Sequence, residues 1–70
     1  MEVFKISLSA ARVNAKLSQK EAADSLGVSN KTLCAWENGE SFPNAVQIAK
    51  ICELYNIPYD NINFFAHQSA

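Results

Sequence analysis

The chain is 70 residues long, 49% hydrophobic, and carries a formal net charge of −1. A chain of this length makes one small domain and has too little core to wall a large catalytic cleft. It has no run of about 18 apolar residues, and its two cysteines and single histidine fall into no metal-ligand spacing. The expectation is therefore no enzyme activity, no metal or cofactor, no small-molecule ligand and no membrane span. Because the start Met1-Glu2-Val3-Phe4-Lys5 lacks a long apolar stretch, a cytoplasmic location is expected.

In chain order, Val3 to Ile6 has alternating character and reads as extended. Ser7 is placed to cap a first helix over about Leu8 to Ala15, on which Leu8, Ala11, Arg12 and Ala15 lie close together. Ser18 followed by Glu21 is a capping box, so a second helix starts at Gln19. Ala22, Ala23 and Leu26 form its apolar side. Gly27 falls just past its end, where a left-handed backbone is cheapest for glycine. Ser29 caps a third helix over about Asn30 to Asn38, closed by Gly39. Pro43 and Asn44 announce a fourth helix, Ala45 to about Tyr55, with Ala45, Ile48, Ala49, Cys52 and Tyr55 as its expected core face. Pro58 is read as opening a short fifth helix that reaches about Phe65. Cys52, among apolar positions, reads as a small core residue.

Two helices of eight or nine residues separated by three have the dimensions of a helix-turn-helix. At about 100° per residue, Leu33 and Trp36 share an inward face of the third helix. Lys31, Cys34, Ala35 and Asn38 lie on the opposite face, which carries donors and small side chains. Small residues there permit close approach to a groove; lysine can donate to guanine, and asparagine can pair with adenine. Cys34 reads as a small neutral filler on that face.

Leu17-Ser18-Gln19, Ala23, Leu26-Gly27-Val28-Ser29, Leu33, Trp36-Glu37-Asn38-Gly39 and Pro43 resemble, in order and spacing, the Cro/C1-type (XRE-family) helix-turn-helix of phage and bacterial repressors. The resemblance spans about residues 7 to 65. It implies an all-α, compact five-helix lambda-repressor-like domain with the helix-turn-helix at helices two and three. The expected organisation is a single domain over residues 1–70, with a core of about 7–65 and a tail over 66–70. The resemblance also implies a structural ion pair between Arg12 and Glu37. It places Gln19 at a phosphate, and Asn30, Lys31, Thr32 and Ala35 at base-reading or groove-facing positions. Ser29 falls where a phosphate or a base can be met, and Asn38 where a backbone N–H meets phosphate. Lys16 and Lys20 are read either as electrostatic contacts or as solvated side chains.

Six cations are few for gripping a phosphate backbone. Glu40 also stands where many relatives carry a basic residue. A monomer is therefore expected to bind double-stranded DNA weakly, and a homodimer on two-fold-related half-sites to bind it specifically. The apolar end supplies the expected dimer surface through Tyr59, Ile62, Phe64 and Phe65. Two functions compete. One is a sequence-specific regulator, a repressor of a phage, mobile element or bacterial operon. The other is a protein-interaction module of antitoxin or antirepressor type with little DNA affinity.

Overall fold

The computed structural model describes residues 5–64. Its elements in order are β1 (Ile6–Ser7), α1 (Leu8–Asn14), α2 (Gln19–Leu26), α3 (Asn30–Glu37), α4 (Ala45–Tyr55), a 3-10 turn (Tyr59–Asn61) and β2 (Ile62–Asn63). β1 and β2 pair in parallel, with Ile6 opposite Ile62 and Ser7 opposite Asn63.

Local chemistry sets the helix starts. Ser7 accepts from the Ala10 N–H, and Ser29 from the Thr32 N–H. Ser18 with Glu21, and Asn44 with Gln47, form complete capping boxes. Each satisfies donors that a helix N-terminus otherwise leaves unpaired. The turn between α2 and α3 is equally local. Gly27 sits in the left-handed region (φ 73°, ψ 28°), and the Val28 N–H returns to the Ala23 carbonyl at 3.0 Å. That closing geometry leaves one residue, Val28, before the Ser29 cap.

The core gathers Leu8, Ala11, Ala22, Ala23, Leu26, Leu33, Trp36, Ile51, Tyr55 and Ile62. Ala22 and Ala23 are fully covered, so at these two positions only a methyl group separates α2 from its neighbours, and Leu26 fills the space at its end. Leu33 and Ile51 are the largest side chains with no exposure at all.

Two expectations are corrected here. The described residues contain four α-helices, not five, together with the β1–β2 pair, so the fold is mostly helical rather than all-α. The segment after Pro58 makes one 3-10 turn, with the Asn61 N–H on the Pro58 carbonyl at 3.0 Å, and then extends. Asp60 and Asn61 are poor helix formers. Asn61-Ile62-Asn63-Phe64 alternates polar and apolar, which is strand periodicity, and β1 offers Ile62 an edge to pair with. The second correction concerns α4. Ala45 and Ala49 are exposed, while Ile51 is buried alongside Tyr55. The helix is rotated so that the larger apolar groups Ile51 and Tyr55 turn inward, because burying an isoleucine removes more apolar area from water than burying an alanine. No helix among the described residues is long and apolar enough to cross a membrane.

Candidate nucleic-acid interface

The α2–turn–α3 unit presents one continuous polar surface. Leu33 and Trp36 anchor α3 to the core at 0% and 5% exposure. The turn of helix opposite them faces outward. Asn30, Lys31 and Asn38 are exposed, whereas Thr32, Cys34 and Ala35 are half-buried. Lys20 is exposed and Gln19 half-buried at the start of α2.

Behind this surface lies a partly buried ion pair. Arg12 on α1 donates from Nε to Glu37 Oε2 at 2.7 Å, and its second contact to Oε1 is longer, at 3.4 Å. A third guanidinium donor reaches the Leu17 carbonyl at 2.9 Å. The side chains are 15% and 6% exposed. The hydrogen bond to Glu37 holds the Arg12 guanidinium above its ordinary pKa, with burial opposing it. A charge-assisted, partly desolvated pair of this kind links α1 to the last turn of α3 and fixes the angle between them.

The pair continues into the polar surface. Gln19 donates from Nε2 to Glu37 Oε1 at 3.1 Å. Its Oε1 in turn accepts from Asn30 Nδ2 at 3.2 Å. Arg12, Glu37, Gln19 and Asn30 therefore form one chain of hydrogen bonds that runs from α1 to the exposed start of α3. Nothing in the spacing of Gln19 announced this bridging role, because it depends on how α2 lies across α3.

The remaining expected residues are placed as follows. Ser29 spends its hydroxyl oxygen on the Thr32 N–H at 3.0 Å and shares a second bond with the Thr32 hydroxyl at 2.9 Å. Its first task is thus to cap α3, and Thr32 is tied to that cap. The Asn38 N–H, expected at a phosphate, is already bonded to the Cys34 carbonyl at 2.9 Å. Its backbone donor is taken because Asn38 still closes the last helical turn. Its side-chain Nδ2 lies 3.4 Å from Cys34 Sγ. Ile62, expected on a dimer surface, is 4% exposed and belongs to the core, since β2 turns it inward from its pairing with β1. Tyr59 is 56% exposed and stacks on Phe64 with ring centroids 5.8 Å apart. Phe65 and the expected tail over 66–70 lie outside the described residues.

Charge on this face is balanced locally. Glu21 is held on the Ser18 N–H at 2.8 Å, and that backbone hydrogen bond keeps its carboxyl below the usual range. Glu37 is paired with Arg12. Lys16, Lys20 and Lys31 are all exposed, and the described residues contain no group of three or more His, Cys, Asp or Glu able to hold a metal ion.

Residues 6–62 match the helix-turn-helix domain family. The chain is also 37% identical over 54 residues to the Type II methyltransferase M1.ScrFI of Lactococcus lactis subsp. cremoris. That alignment covers 71% of the chain but only 14% of the methyltransferase. No solved structure gives a significant match.

Proposed function

The chain belongs to the helix-turn-helix family of DNA-binding domains, and we propose that it is a sequence-specific transcriptional regulator that lays α3 in the major groove as a homodimer. The observation that carries this reading is the outward face of α3. Asn30 and Lys31 are exposed on a helix whose inward face is locked by Leu33 and Trp36, with Glu37 tied to α1. Recognition by a rigid helix needs both parts: free donors outside and fixed orientation inside.

The roles divide by chemistry. Asn30 suits adenine, whose N7 accepts and whose N6 donates. Lys31 suits guanine O6 and N7. The Ala35 methyl group suits close approach or a thymine methyl. Lys20, with the backbone N–H groups opening α2, suits a phosphate, and Lys16 adds charge nearby. These contacts position the domain, whereas those of α3 select the sequence. With few cations available, affinity depends on two domains binding together. Tyr59, exposed and stacked on the half-buried Phe64, is the surface that supports such pairing. Regulation then works by occupancy of an operator, as a repressor does, and involves no chemical step.

A second reading is favoured by the methyltransferase relative. There the same unit would serve a DNA-modification system, guiding or controlling a methyltransferase. Both readings require α3 to select a sequence.

The test is selection from a random duplex library at two salt concentrations, followed by sequencing of the bound fraction. A two-fold-related motif with half-sites about one helical turn apart is the expected result. A single, non-repeated motif would refute the homodimer. Absence of binding at low salt would refute the DNA-binding role and leave a protein-interaction module of antitoxin or antirepressor type, a reading to which the net charge of −1 is suited.

A further inference from the structure

We infer that Glu37, although it lies behind the interface, sets which base Asn30 reads, through a polarity relay running Glu37–Gln19–Asn30. The inference rests on the base-reading role proposed for Asn30.

A carboxylate only accepts hydrogen bonds, whereas an amide has one donating and one accepting end. Glu37 Oε1 faces Gln19 at 3.1 Å, so the Gln19 nitrogen must point at it. The Gln19 oxygen then points the other way, toward Asn30 at 3.2 Å. That oxygen accepts, so the Asn30 nitrogen must face it. What remains for solvent or DNA is the Asn30 oxygen and one N–H. This ordered acceptor–donor edge is complementary to adenine N6–H and N7. A free asparagine can turn its amide over at little cost. Here the turned state would set oxygen against oxygen, first at Gln19 and then at Glu37. The anchoring end of the relay cannot turn, because Arg12 holds Glu37 Oε2 at 2.7 Å.

Replacing the carboxylate by an amide of the same shape reverses the logic. In Glu37→Gln the shorter Arg12 contact, from Nε at 2.7 Å, retains the new oxygen, because Arg12 has only donors to offer, and the longer Nη2 contact at 3.4 Å is given up. The new nitrogen then occupies the position facing Gln19. Gln19 must present its oxygen to that nitrogen and its own nitrogen to Asn30. Asn30 in turn must give its oxygen to Gln19 and present only N–H groups outward. Such an edge fits guanine, which offers the two acceptors O6 and N7.

The experiment is duplex selection with wild type, Glu37→Gln and Gln19→Leu, with folding of each verified by circular dichroism. Wild type is expected to prefer adenine over guanine by about tenfold at one position of each half-site. Glu37→Gln is expected to reverse that preference at that position and leave the other positions unchanged. Gln19→Leu cuts the relay, and its adenine–guanine preference is expected to fall below the wild-type value, because the freed amide of Asn30 can present either end to the base. A merely structural role for Glu37 would lower affinity for all sequences alike and leave the preference in place. Retained adenine preference in folded Glu37→Gln overturns the relay. If that variant does not fold, retained full preference in Gln19→Leu overturns it. A wild-type protein with no base preference at any position overturns the proposed function, and the relay falls with it.

Discussion

Removing one partner of the Arg12–Glu37 pair should cost more stability than removing both. In Glu37→Ala the guanidinium, whose side chain is 15% exposed in the intact pair, keeps only its bond to the Leu17 carbonyl. In Arg12→Met the carboxylate, at 6% exposure, keeps only Gln19. Leaving a desolvated charge without its partner costs about 3 to 5 kcal/mol. The more exposed arginine places Glu37→Ala near the lower end, and the more buried carboxylate places Arg12→Met near the upper. A 70-residue domain has roughly 4–10 kcal/mol in total, so either change should move the urea midpoint far down. In the double variant Arg12→Met, Glu37→Leu no charge is stranded, and apolar side chains of similar volume fill the space. Its stability should return to within about 1 kcal/mol of wild type. The assay is equilibrium urea unfolding followed by Trp36 fluorescence, since Trp36 is 5% exposed and reports loss of the core. The double-mutant cycle gives the coupling directly. DNA affinity should not recover in the double variant, because apolar contact does not reproduce the directional hold on α3. Single variants that each cost less than about 1 kcal/mol, or a double variant that costs the sum of the two, would refute the reasoning.

Lys31→Ala should relax base preference at one position per half-site, whereas Lys20→Ala should weaken all sequences about equally and reduce the salt dependence by about one unit of slope; selection at two salts separates the two. Burial raises the Tyr55 hydroxyl to about 12, so the unfolded chain loses that proton at lower pH than the folded one. The stability tied to its protonated form is complete below about pH 10 and declines by on the order of 2 kcal/mol as pH rises to about 12. Tyr55→Phe should flatten that decline in alkaline unfolding curves and leave neutral stability unchanged or higher, because the buried Tyr55 hydroxyl has no hydrogen-bond partner among the described residues. Gly27→Ala should cost about 1 kcal/mol. A Cβ there meets nothing within 4 Å, so the cost comes from the positive φ alone, and thermal melting should show no loss of cooperativity. Tyr59→Glu, at a position 56% exposed, should leave monomer stability nearly unchanged and shift the sedimentation of the protein toward the monomer if the Tyr59–Phe64 face pairs two copies.

The parts of this protein that could be read from the chain are those decided within about one helical turn. Ser7, Ser18 with Glu21, Gly27, Ser29 and Asn44 each act on backbone groups two to four residues away, so the starts of all four helices and the turn between α2 and α3 follow from neighbours in sequence. The inward face of α3 was legible for the same reason, since Leu33 and Trp36 are three residues apart. The Arg12–Glu37 contact was legible only through resemblance, because 25 residues separate its partners.

Tertiary structure decided what depends on elements far apart in sequence. Whether Asn61 to Phe64 continues as helix or becomes a strand turns on the presence of β1 at Ile6 and Ser7, and no local window contains both. The rotation of α4 turns on which side chains best fill the space left by the other helices, and Ile51 prevails over Ala45 and Ala49 by size. Ile62 left the expected dimer surface for the core by the same logic. The chain of bonds from Arg12 through Glu37 and Gln19 to Asn30 exists because three helices meet there. Short-range hydrogen bonding and backbone preference determine the elements; long-range burial and the pairing of desolvated polar groups determine how they are turned toward one another, and with that the edge that Asn30 presents.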